Sequence, residues 1–424
     1  MRTPILSSSP TDLAARLRTT RAATEALAAP LAAEDQVVQS MPDVSPTKWH
    51  RAHTTWFFET FVLGPHQPGY RPVDPGYDYL FNSYYEQVGP RHPRGERGLI
   101  SRPTVAEVGA YRTAVDHAIG SFIDGTARER WDEIGPLIEL GIHHEQQHQE
   151  LLLMDIKHVL SRNPLRPAYT KAPLTLPGDD AAPVRWIDVD GGIRSVGHDG
   201  SGFSFDNEGP RHDALLQPFR IADRLVTNGD WAAFMADGGY ERPELWLSDG
   251  WFTVRQQGWR APLYWEPDGD GWAEFTLQGL LPVDPAAPVV HVSYLEADAF
   301  ASWAGARLPT ELEWEVATRD ESIAEAVDRH ELHLHPSPGR ATDGLRQAGT
   351  EVWEWTASSY LPYPGFRPPP GAVGEYNGKF MCGQMVLRGG ACITPPGHAR
   401  PTYRNFFPPA ARWAFAGLRL AADA

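Results

Sequence analysis

Two histidines stand four residues apart in a segment whose apolar pattern predicts one long helix, from about Trp131 to Leu160. His144 and His148 would lie one turn apart on the same stripe of that helix. The stripe also carries Leu137, Leu140, Leu151 and Asp155. Two imidazoles on adjacent turns of an inward-facing stripe can bind one metal ion. The alternative is a pair of core histidines with hydrogen-bond partners.

A metal bound by two imidazoles needs a third ligand, and the segment "SPTKWHRAHTTWFFETFVL" offers two candidates. His53 is the polar member of a stripe with Trp49, Phe57 and Phe61, whereas His50 lies on a neighbouring stripe. We favour His53 and keep His50 as the alternative. Three neutral imidazoles would leave coordination positions open for a substrate and for O₂ or water.

The sequence His144-Glu145-Gln146-Gln147-His148 also has the H-E-x-x-H spacing of zinc peptidases, in which Glu145 would be the general base. On a helix, however, Glu145 lies about 100° away from His144, so it is not expected to face the same metal. An upstream histidine-bearing helix also fits the peptidase pattern poorly. Zinc peptidase therefore remains a remote alternative.

The elements that must position these histidines are helices with clear start signals. The predicted helices begin at Ser9-Pro10, at Ser45-Pro46, at the capping box Thr104-x-x-Glu107 and near Trp131. A connection over residues 64–103 separates the second helix from the third, which is predicted to run to about Ile123. This pattern predicts a four-helix bundle over residues 1–166.

After residue 166 the pattern changes to short strand-like segments separated by Gly, Pro and Asp turns. Segments such as "VRWIDVDGGIRSVG" and "QMVLRGGACI" alternate with long connections rich in Trp and Tyr. We therefore predict a two-domain α+β protein, with a helical domain at 1–166 and a mixed domain at 167–424.

Composition excludes several functional classes. The formal charge of −16 disfavours binding to nucleic acid or to anionic lipid. The sequence contains no long apolar run typical of a membrane span, and we expect no signal peptide. With two cysteines, Cys382 and Cys392, a disulfide framework is not expected and a cytoplasmic location is predicted. The oligomeric state cannot be predicted from the sequence.

Several motifs in order along the chain resemble one family. "SPTKWHRAHTTWFFETF", "LFNSYYEQVGPRHPR" and "HHEQQHQELLLMDIKHVLSRNPLRPAY" resemble the DinB-like bundle of the sulfoxide synthases of ergothioneine biosynthesis. "FDNEGPRH", "ARLPTELEWEVA", "EVWEWTASSYLPYPGF", "EYNGKFMCGQMVLRGGACITP" and "YRNFFPPAARWAFAGLRLA" resemble their C-terminal domain. That domain is of the formylglycine-generating-enzyme type with a C-type-lectin-like core. The resemblance covers nearly the whole chain.

The resemblance implies a mononuclear non-heme Fe(II) enzyme whose ligands are His53, His144 and His148, with O₂ as co-substrate. The family joins the C2 carbon of an imidazole to sulfur and gives a sulfoxide. In the ergothioneine branch the imidazole belongs to hercynine, which is N-trimethylated histidine, and the sulfur comes from cysteine or γ-glutamylcysteine.

The resemblance also implies substrate contacts. Phe406 and Phe407 match positions that contact the trimethylammonium group, which favours aromatic faces because it makes no conventional hydrogen bonds. Asn405 and Gln147 match polar contacts to hercynine. Without the resemblance, the two phenylalanines would be read as core residues.

Two further pairs complete the implied site. Tyr84 and Tyr85 match a tyrosine pair that supplies an active-site phenol, which can donate a proton and favour C–S bond formation over thiol dioxygenation. Arg91 and Arg94 could bind the carboxylate of the sulfur substrate. Read without the family, the tyrosines suggest packing and the arginines a solvated loop.

The donor is predicted from differences within the family. The γ-glutamylcysteine-using branch has an acidic residue at the position of Phe407 and a tyrosine from the C-terminal domain, so cysteine is the preferred donor here. A selenoneine synthase that joins hercynine to a selenosugar is the main alternative. A non-catalytic, lectin-like binding module is a more distant one.

Overall fold

The computed structural model describes residues 9–171, 182–319, 331–339 and 344–424. The chain divides into two compact units. The first contains Met1–Tyr169 together with two short segments of the C-terminal half, Gly200–Phe205 and Pro368–Asn377. The second contains Thr170–Asp199, Asp206–Arg367 and Gly378–Ala424. The sequence pattern did not predict that the chain would return twice to the first unit.

The first unit is helical over its described residues. Its α-helices are α1 Pro10–Ala28, α2 Thr47–Phe58, α3 Gly64–His66, α4 Tyr77–Phe81, α5 Val105–Gly125 and α6 Trp131–Ser161. A π-helical turn, Glu59–Leu63, links α2 to α3, and 3₁₀ turns lie at Asp35–Val37, Arg94–Leu99, Arg128–Arg130 and Ala372–Glu375. The four long helices begin close to the predicted residues, and α5 and α6 also end within two residues of the predicted ends. No helix in the described part of the chain is long and apolar enough to cross a membrane.

Helix starts follow the predicted signals at two places and depart from them at a third. The Ser9 side chain accepts a hydrogen bond from the Asp12 amide, and Thr104 and Glu107 form a reciprocal capping box. Helix α2 begins after Pro46, and Ser45 does not cap it. The Ser45 amide instead donates to Asp155 Oδ2 at 2.8 Å, so this residue serves a tertiary contact.

The apolar core of the first unit lies on a different face of α6 from the histidines. Ile134, Ile138 and Ile142 are buried in it, whereas Leu137 and Leu140 on the histidine stripe are half-buried. The stripe predicted to be the core-facing one therefore lies beside the core rather than at its centre. Trp131 of α6 belongs to the same core, and the core residues from the rest of the unit are Leu13, Ala14, Leu17, Phe58, Val62, Leu63, Tyr111, Val115, Ile119, Phe122 and Ile123.

One buried carboxylate connects the helices around that core. Glu145, on α6, is fully buried and accepts hydrogen bonds from Arg21 of α1 at 2.8 Å and Arg112 of α5 at 2.9 Å. The Thr24 hydroxyl donates at 2.6 Å to Oε1, the oxygen that also accepts from Arg112. Burial alone would raise the pKa of Glu145, but the two arginines hold it down, at about 2. The carboxylate is therefore charged, and it fixes α6 against α1 and α5.

The second unit contains all the strands of the described residues, in four small sheets. β1 Trp186–Val189, β4 Phe219–Ala222 and β12 Ala421–Asp423 form one antiparallel sheet in the order β1-β4-β12. β2 Gly192–Val196 pairs with β3 His212–Leu216, and β5 Trp265–Asp268, β6 Gly271–Thr276 and β7 Gly279–Pro282 form a meander. The fourth sheet has the order β10-β9-β8-β11, with β8 Trp353–Ser359, β9 Met385–Gly389, β10 Asn405–Phe407 and β11 Ala416–Gly417. β11 is parallel to β8, and the other pairs of this sheet are antiparallel.

In the described part of this unit, four helices accompany the sheets: α7 Asn228–Ala236, α8 Ser248–Gln257, α9 Tyr294–Trp303 and α10 Glu311–Ala317. Shorter 3₁₀ turns lie at Asp206–Glu208, Gly239–Glu241, Pro243–Leu245 and Gly378–Phe380. Helices α7, α9 and α10 each begin with a capping box. The predicted combination of a helical domain and a mixed domain is confirmed.

Buried arginines hold the irregular parts of the second unit together. Arg404 makes two hydrogen bonds to the carboxylate of Glu311, at 2.7 and 2.9 Å, and so ties the residue before β10 to the start of α10. Arg388 of β9 donates one hydrogen bond to the carboxylate of Glu315 of α10. Because each arginine also donates to backbone carbonyls, these pairs fix chain segments that have few ladder hydrogen bonds.

Replacing Glu145 tests how much the buried carboxylate stabilises the bundle. In Glu145→Gln, the guanidinium groups of Arg21 and Arg112 lose their shared charged partner inside the protein. We expect the free energy of unfolding to fall by roughly 3 kcal/mol, measured by urea denaturation. Glu139→Gln on the same helix is the control, since its pair with the partly exposed Arg16 should contribute less than about 1 kcal/mol. Equal losses in the two variants would contradict this assignment.

Candidate metal centre

Three histidines from two helices converge in the first unit. His53 of α2 and His144 and His148 of α6 each place a ring nitrogen within 4.8 Å of those of the other two. His53 and His144 are buried, and His148 is half-buried. Among the described residues, this is the group of potential ligands close enough together to bind one metal ion.

The hydrogen bonds of the outer ring nitrogens determine which nitrogens remain for a metal. His53 Nδ1 lies 2.5 Å from the carbonyl oxygen of Phe81 and must donate to it, so His53 Nε2 keeps its lone pair. His53 Nε2 lies 3.2 Å from His144 Nε2. His148 Nδ1 lies 2.8 Å from His50 Nδ1, which leaves its Nε2 available. The Nε2 atoms are therefore the donor set.

The chemistry of this donor set fits a divalent cation. Burial lowers the pKa of His144 to about 3, and burial and the neighbouring histidines lower the pKa values of His53 and His148 well below the ordinary value. The rings are then neutral at physiological pH, as metal ligands must be. A separation of 3.2 Å between two Nε2 atoms also suits two ligands at about 2.1 Å from one ion.

His50, the alternative ligand, lies behind the cluster rather than in it. Its Nδ1 faces His148, and its Nε2 lies 2.9 Å from Asp155 Oδ2. Both ring nitrogens of His50 are therefore occupied by protein partners. The structure brings His53, and not His50, into the group with His144 and His148.

The position of Glu145 argues against a peptidase arrangement. Its carboxylate is held by Arg21, Arg112 and Thr24 on the side of α6 that faces α1 and α5. A general base must reach a water on the metal, and an arginine-paired carboxylate with a pKa of about 2 is also a poor proton acceptor at neutral pH. Glu145 therefore has a structural role, and the chain has the H-E-x-x-H spacing without the arrangement of a peptidase site.

The predicted tyrosine pair lies in the connection that follows α4. Tyr85 is fully buried, and its ring packs 5.0 Å from Phe61 and 4.7 Å from Tyr84. Burial, with the neighbouring phenols of Tyr84 and Tyr376, raises the pKa of Tyr85 well above its ordinary value. Tyr85 is therefore a protonated phenol. Its neighbour Tyr84 is only half-buried.

A third tyrosine, which sequence reasoning missed, lies beside the cluster. Tyr376 belongs to the first unit although it comes from the C-terminal half of the chain. Its hydroxyl hydrogen-bonds the side-chain oxygen of Gln147, and its ring centroid lies 5.6 Å from that of His144. Phe205 stacks on it at 5.5 Å. The "EYNGKF" motif was a signal for this residue, but nothing local indicated that it reaches α6.

His143, which the sequence pattern did not single out, is another buried member of this region. Its ring stacks on Phe203 with centroids 3.8 Å apart. Phe203 comes from Gly200–Phe205, the other segment that the C-terminal half contributes to the first unit. This segment covers His143, which would otherwise lie on an exposed surface of α6.

The arginines of the connection after Tyr85 differ in burial. Arg91 is exposed and pairs with Glu86 at 2.8 Å, and Arg94 is exposed and donates to the carbonyl of Asp43 at 2.6 Å. Arg97 is buried, with its guanidinium 3.4 Å from the ring centroid of Trp49. Trp49 in turn stacks on the ring of His53 at 4.5 Å. Arg97, which the sequence did not single out, therefore supports the packing around a candidate ligand.

The remaining predicted residues, Asn405, Phe406 and Phe407, form the edge strand β10 of the second unit. All three are half-buried. Phe406 stacks on Tyr360 with centroids 4.1 Å apart, and Phe407 meets Trp413 edge-on at 5.5 Å. The Asn405 side chain accepts a hydrogen bond from the Phe406 amide. The strand thus presents partly accessible aromatic rings in a fixed conformation.

Comparison with known proteins identifies both parts of the chain. Residues 16–158 match the DinB superfamily, and residues 177–331 and 336–424 match the sulfatase-modifying factor enzyme 1-like domain. A hercynine oxygenase from Mycolicibacterium smegmatis is 33% identical over 418 residues, covering 91% of this chain and 92% of that protein. The hercynine oxygenase of Mycobacterium tuberculosis is 33% identical over 407 residues, covering 90% and 92%.

A fungal protein shares part of this similarity. Ergothioneine biosynthesis protein 1 of Schizosaccharomyces pombe is 28% identical over 236 residues, covering 51% of this chain and 27% of that protein. The extent of the bacterial matches, together with the two domain types in this order, establishes the family. The chain is an enzyme of the hercynine oxygenase family, the sulfoxide synthases of ergothioneine biosynthesis.

Proposed function

We propose that this protein uses Fe(II) and O₂ to join the imidazole C2 carbon of hercynine to the sulfur of a thiol, giving a sulfoxide. The convergence of His53, His144 and His148 in a chain of this family is the observation that carries the proposal. The reaction balances as one imidazole C–H, one thiol S–H and one O₂ giving a C–S bond, one S=O bond and water.

The ligand set favours iron in this role. His53, His144 and His148 supply neutral nitrogen donors, which suit divalent iron and leave coordination positions for both substrates and O₂. When bound, iron would activate O₂ and bring the thiolate sulfur beside the imidazole carbon. The protein's own part is to fix the tautomers of His53 and His148 through hydrogen bonds to their outer ring nitrogens.

Hercynine would be bound through its cation and its polar groups. Phe406 and Phe407 are proposed to contact the trimethylammonium group, for which aromatic faces are favourable partners. Tyr360 holds the Phe406 ring in place by stacking. Asn405 and Gln147 are proposed to form polar contacts, and Tyr376 orients the Gln147 amide by hydrogen-bonding its oxygen.

A phenol would complete the reaction by supplying a proton. Tyr85 is protonated at neutral pH, because burial raises the pKa of its phenol. Tyr84 and Tyr376 are its neighbouring phenols, and the centroids of their two rings lie 6.0 Å from each other. We assign the donated proton to this group of three phenols, with Tyr85 and Tyr84 as the predicted pair.

Cysteine is our proposed sulfur donor. Of the two features that separate the branches, one matches the γ-glutamylcysteine-using branch and the other does not. The resemblance linked a tyrosine from the C-terminal half to the γ-glutamylcysteine-using branch, and Tyr376 is such a tyrosine. Phe407 still lacks the carboxylate of that branch. Arg91 and Arg94 are accessible and could bind a donor carboxylate. A selenosugar donor remains the alternative, because no residue of the site excludes selenium.

A cytoplasmic location is part of the proposal. Cys382 is exposed and Cys392 buried, and no disulfide joins them. This arrangement suits a reducing compartment.

A direct competition identifies the donor. Anaerobic Fe(II)-loaded protein receives hercynine with equimolar cysteine, γ-glutamylcysteine and a selenosugar, followed by air, and products are identified by mass spectrometry. We expect the cysteine-derived sulfoxide to predominate. A selenium-bearing adduct would make the protein a selenoneine synthase, and unreacted hercynine in every mixture would contradict the substrate assignment.

Removal of one ligand tests the metal centre. His53→Ala leaves two imidazoles, so we expect Fe(II) content after desalting and product formation to be lost together, by at least roughly 100-fold in affinity. Circular dichroism checks that the helices persist. Full iron retention by His53→Ala would contradict this ligand set.

Phenylalanine substitutions identify the phenol. If Tyr85 donates the proton, Tyr85→Phe should shift the product from sulfoxide towards the sulfinic acid of the thiol, with iron binding unchanged. The reduction in sulfoxide formation should be about 10²-fold or more. Tyr84→Phe and Tyr376→Phe are the matched comparisons, and an unchanged product ratio for Tyr85→Phe would assign the role elsewhere.

A further inference from the structure

We propose that Asp155 and His50 form an outer hydrogen-bonded chain that fixes the ring of His148 and makes it the strongest electron donor of the three ligands. This inference rests on the proposed function, since it concerns the tuning of the same metal centre. It assigns a positioning role to two residues that contact neither the proposed metal nor the substrates.

The chain is continuous and buried. His148 Nδ1 lies 2.8 Å from His50 Nδ1, and His50 Nε2 lies 2.9 Å from Asp155 Oδ2. His50 and Asp155 are each at most 3% exposed. The Ser45 amide donates to the same Asp155 oxygen at 2.8 Å and so holds the carboxylate in position.

Metal binding would make every hydrogen bond of this series donate in the same direction, from His148 towards Asp155. If His148 Nε2 binds a metal, His148 Nδ1 carries a hydrogen and must donate it to His50 Nδ1. His50 Nδ1 then has a lone pair, so the hydrogen of His50 lies on Nε2 and is donated to Asp155. Each donor meets an acceptor, and the series ends on a carboxylate.

The outer partners of the three candidate ligands differ in kind. His148 is linked through His50 to a carboxylate, and His53 donates to the carbonyl of Phe81. The outer nitrogen of His144, Nδ1, has no hydrogen-bond partner within the described residues. A hydrogen bond that leads to a negative charge draws the Nδ1 proton outward and raises the basicity of the ligating nitrogen. The ligands are therefore graded, with His148 the most electron-rich.

Asp155→Asn tests the chain because it removes the charge while keeping the size and a hydrogen-bonding oxygen. We expect Co(II), used as the probe ion and measured by competition with a chelator, to bind roughly 10- to 100-fold more weakly. His50→Phe keeps a ring at that position but breaks both hydrogen bonds, and should cause a similar loss. The double variant should bind no more weakly than His50→Phe, since the chain is already broken.

Tyr111→Phe is the matched control. It also removes one buried hydrogen bond of the first unit, from the Tyr111 hydroxyl to Glu59 at 2.5 Å, but it lies outside the chain. The visible absorption spectrum of bound Co(II) reports ligand strength directly. It should shift in Asp155→Asn and remain as in the wild type in Tyr111→Phe.

The outcomes separate this inference from the proposed function. Suppose the wild-type protein binds Co(II) at the three histidines, and Asp155→Asn and His50→Phe have unchanged affinity and spectrum. That result would overturn the proposed role of Asp155 and His50 but leave the proposed function intact. Equal weakening in Tyr111→Phe would also overturn it, because the effect would then be a general loosening of the helices. A wild-type protein that binds no Co(II) would overturn both proposals.

Discussion

The arrangement of the first unit depends on one buried charge. Glu145 lies between Arg21 and Arg112, and an unpaired carboxylate at that depth would be too costly to retain. The interaction fixes the rotation of α6, since turning the helix would separate Glu145 from both arginines. With the helix held in this way, His144, about 100° from Glu145, is directed towards His53. A structural ion pair thereby orients the candidate metal ligands.

Local signals predicted the helices and the histidine cluster, because helix starts and one-turn spacing depend on neighbouring residues. Thr104 and Glu107 form their predicted capping box, and His53, His144 and His148 lie together. Contacts that depend on distant chain segments were not predictable from such spacing. The hydrogen bond from Tyr376 to Gln147 spans 229 positions, and His143 is buried by a stacking partner from Gly200–Phe205.

In the second unit, side-chain contacts hold strand β10 in place. Its sheets are short, so the position of Asn405–Phe407 is set largely by side chains. Arg404 fixes the residue before the strand through Glu311, and stacking on Tyr360 fixes Phe406. The sequence showed the arginines and carboxylates but could not show which would pair, because burial of such pairs is decided only by the folded chain.

The return of the chain to the first unit has a consequence for how such proteins can diverge. Segments Gly200–Phe205 and Pro368–Asn377 are encoded within the mixed domain but are structural parts of the helical one. A gene fusion or domain exchange that replaced the C-terminal half would also replace Tyr376 and Phe203, the neighbours of His144 and His143. The helical unit is therefore built from both halves of the sequence, and exchange of the C-terminal half alone would remove side chains that pack on its histidines.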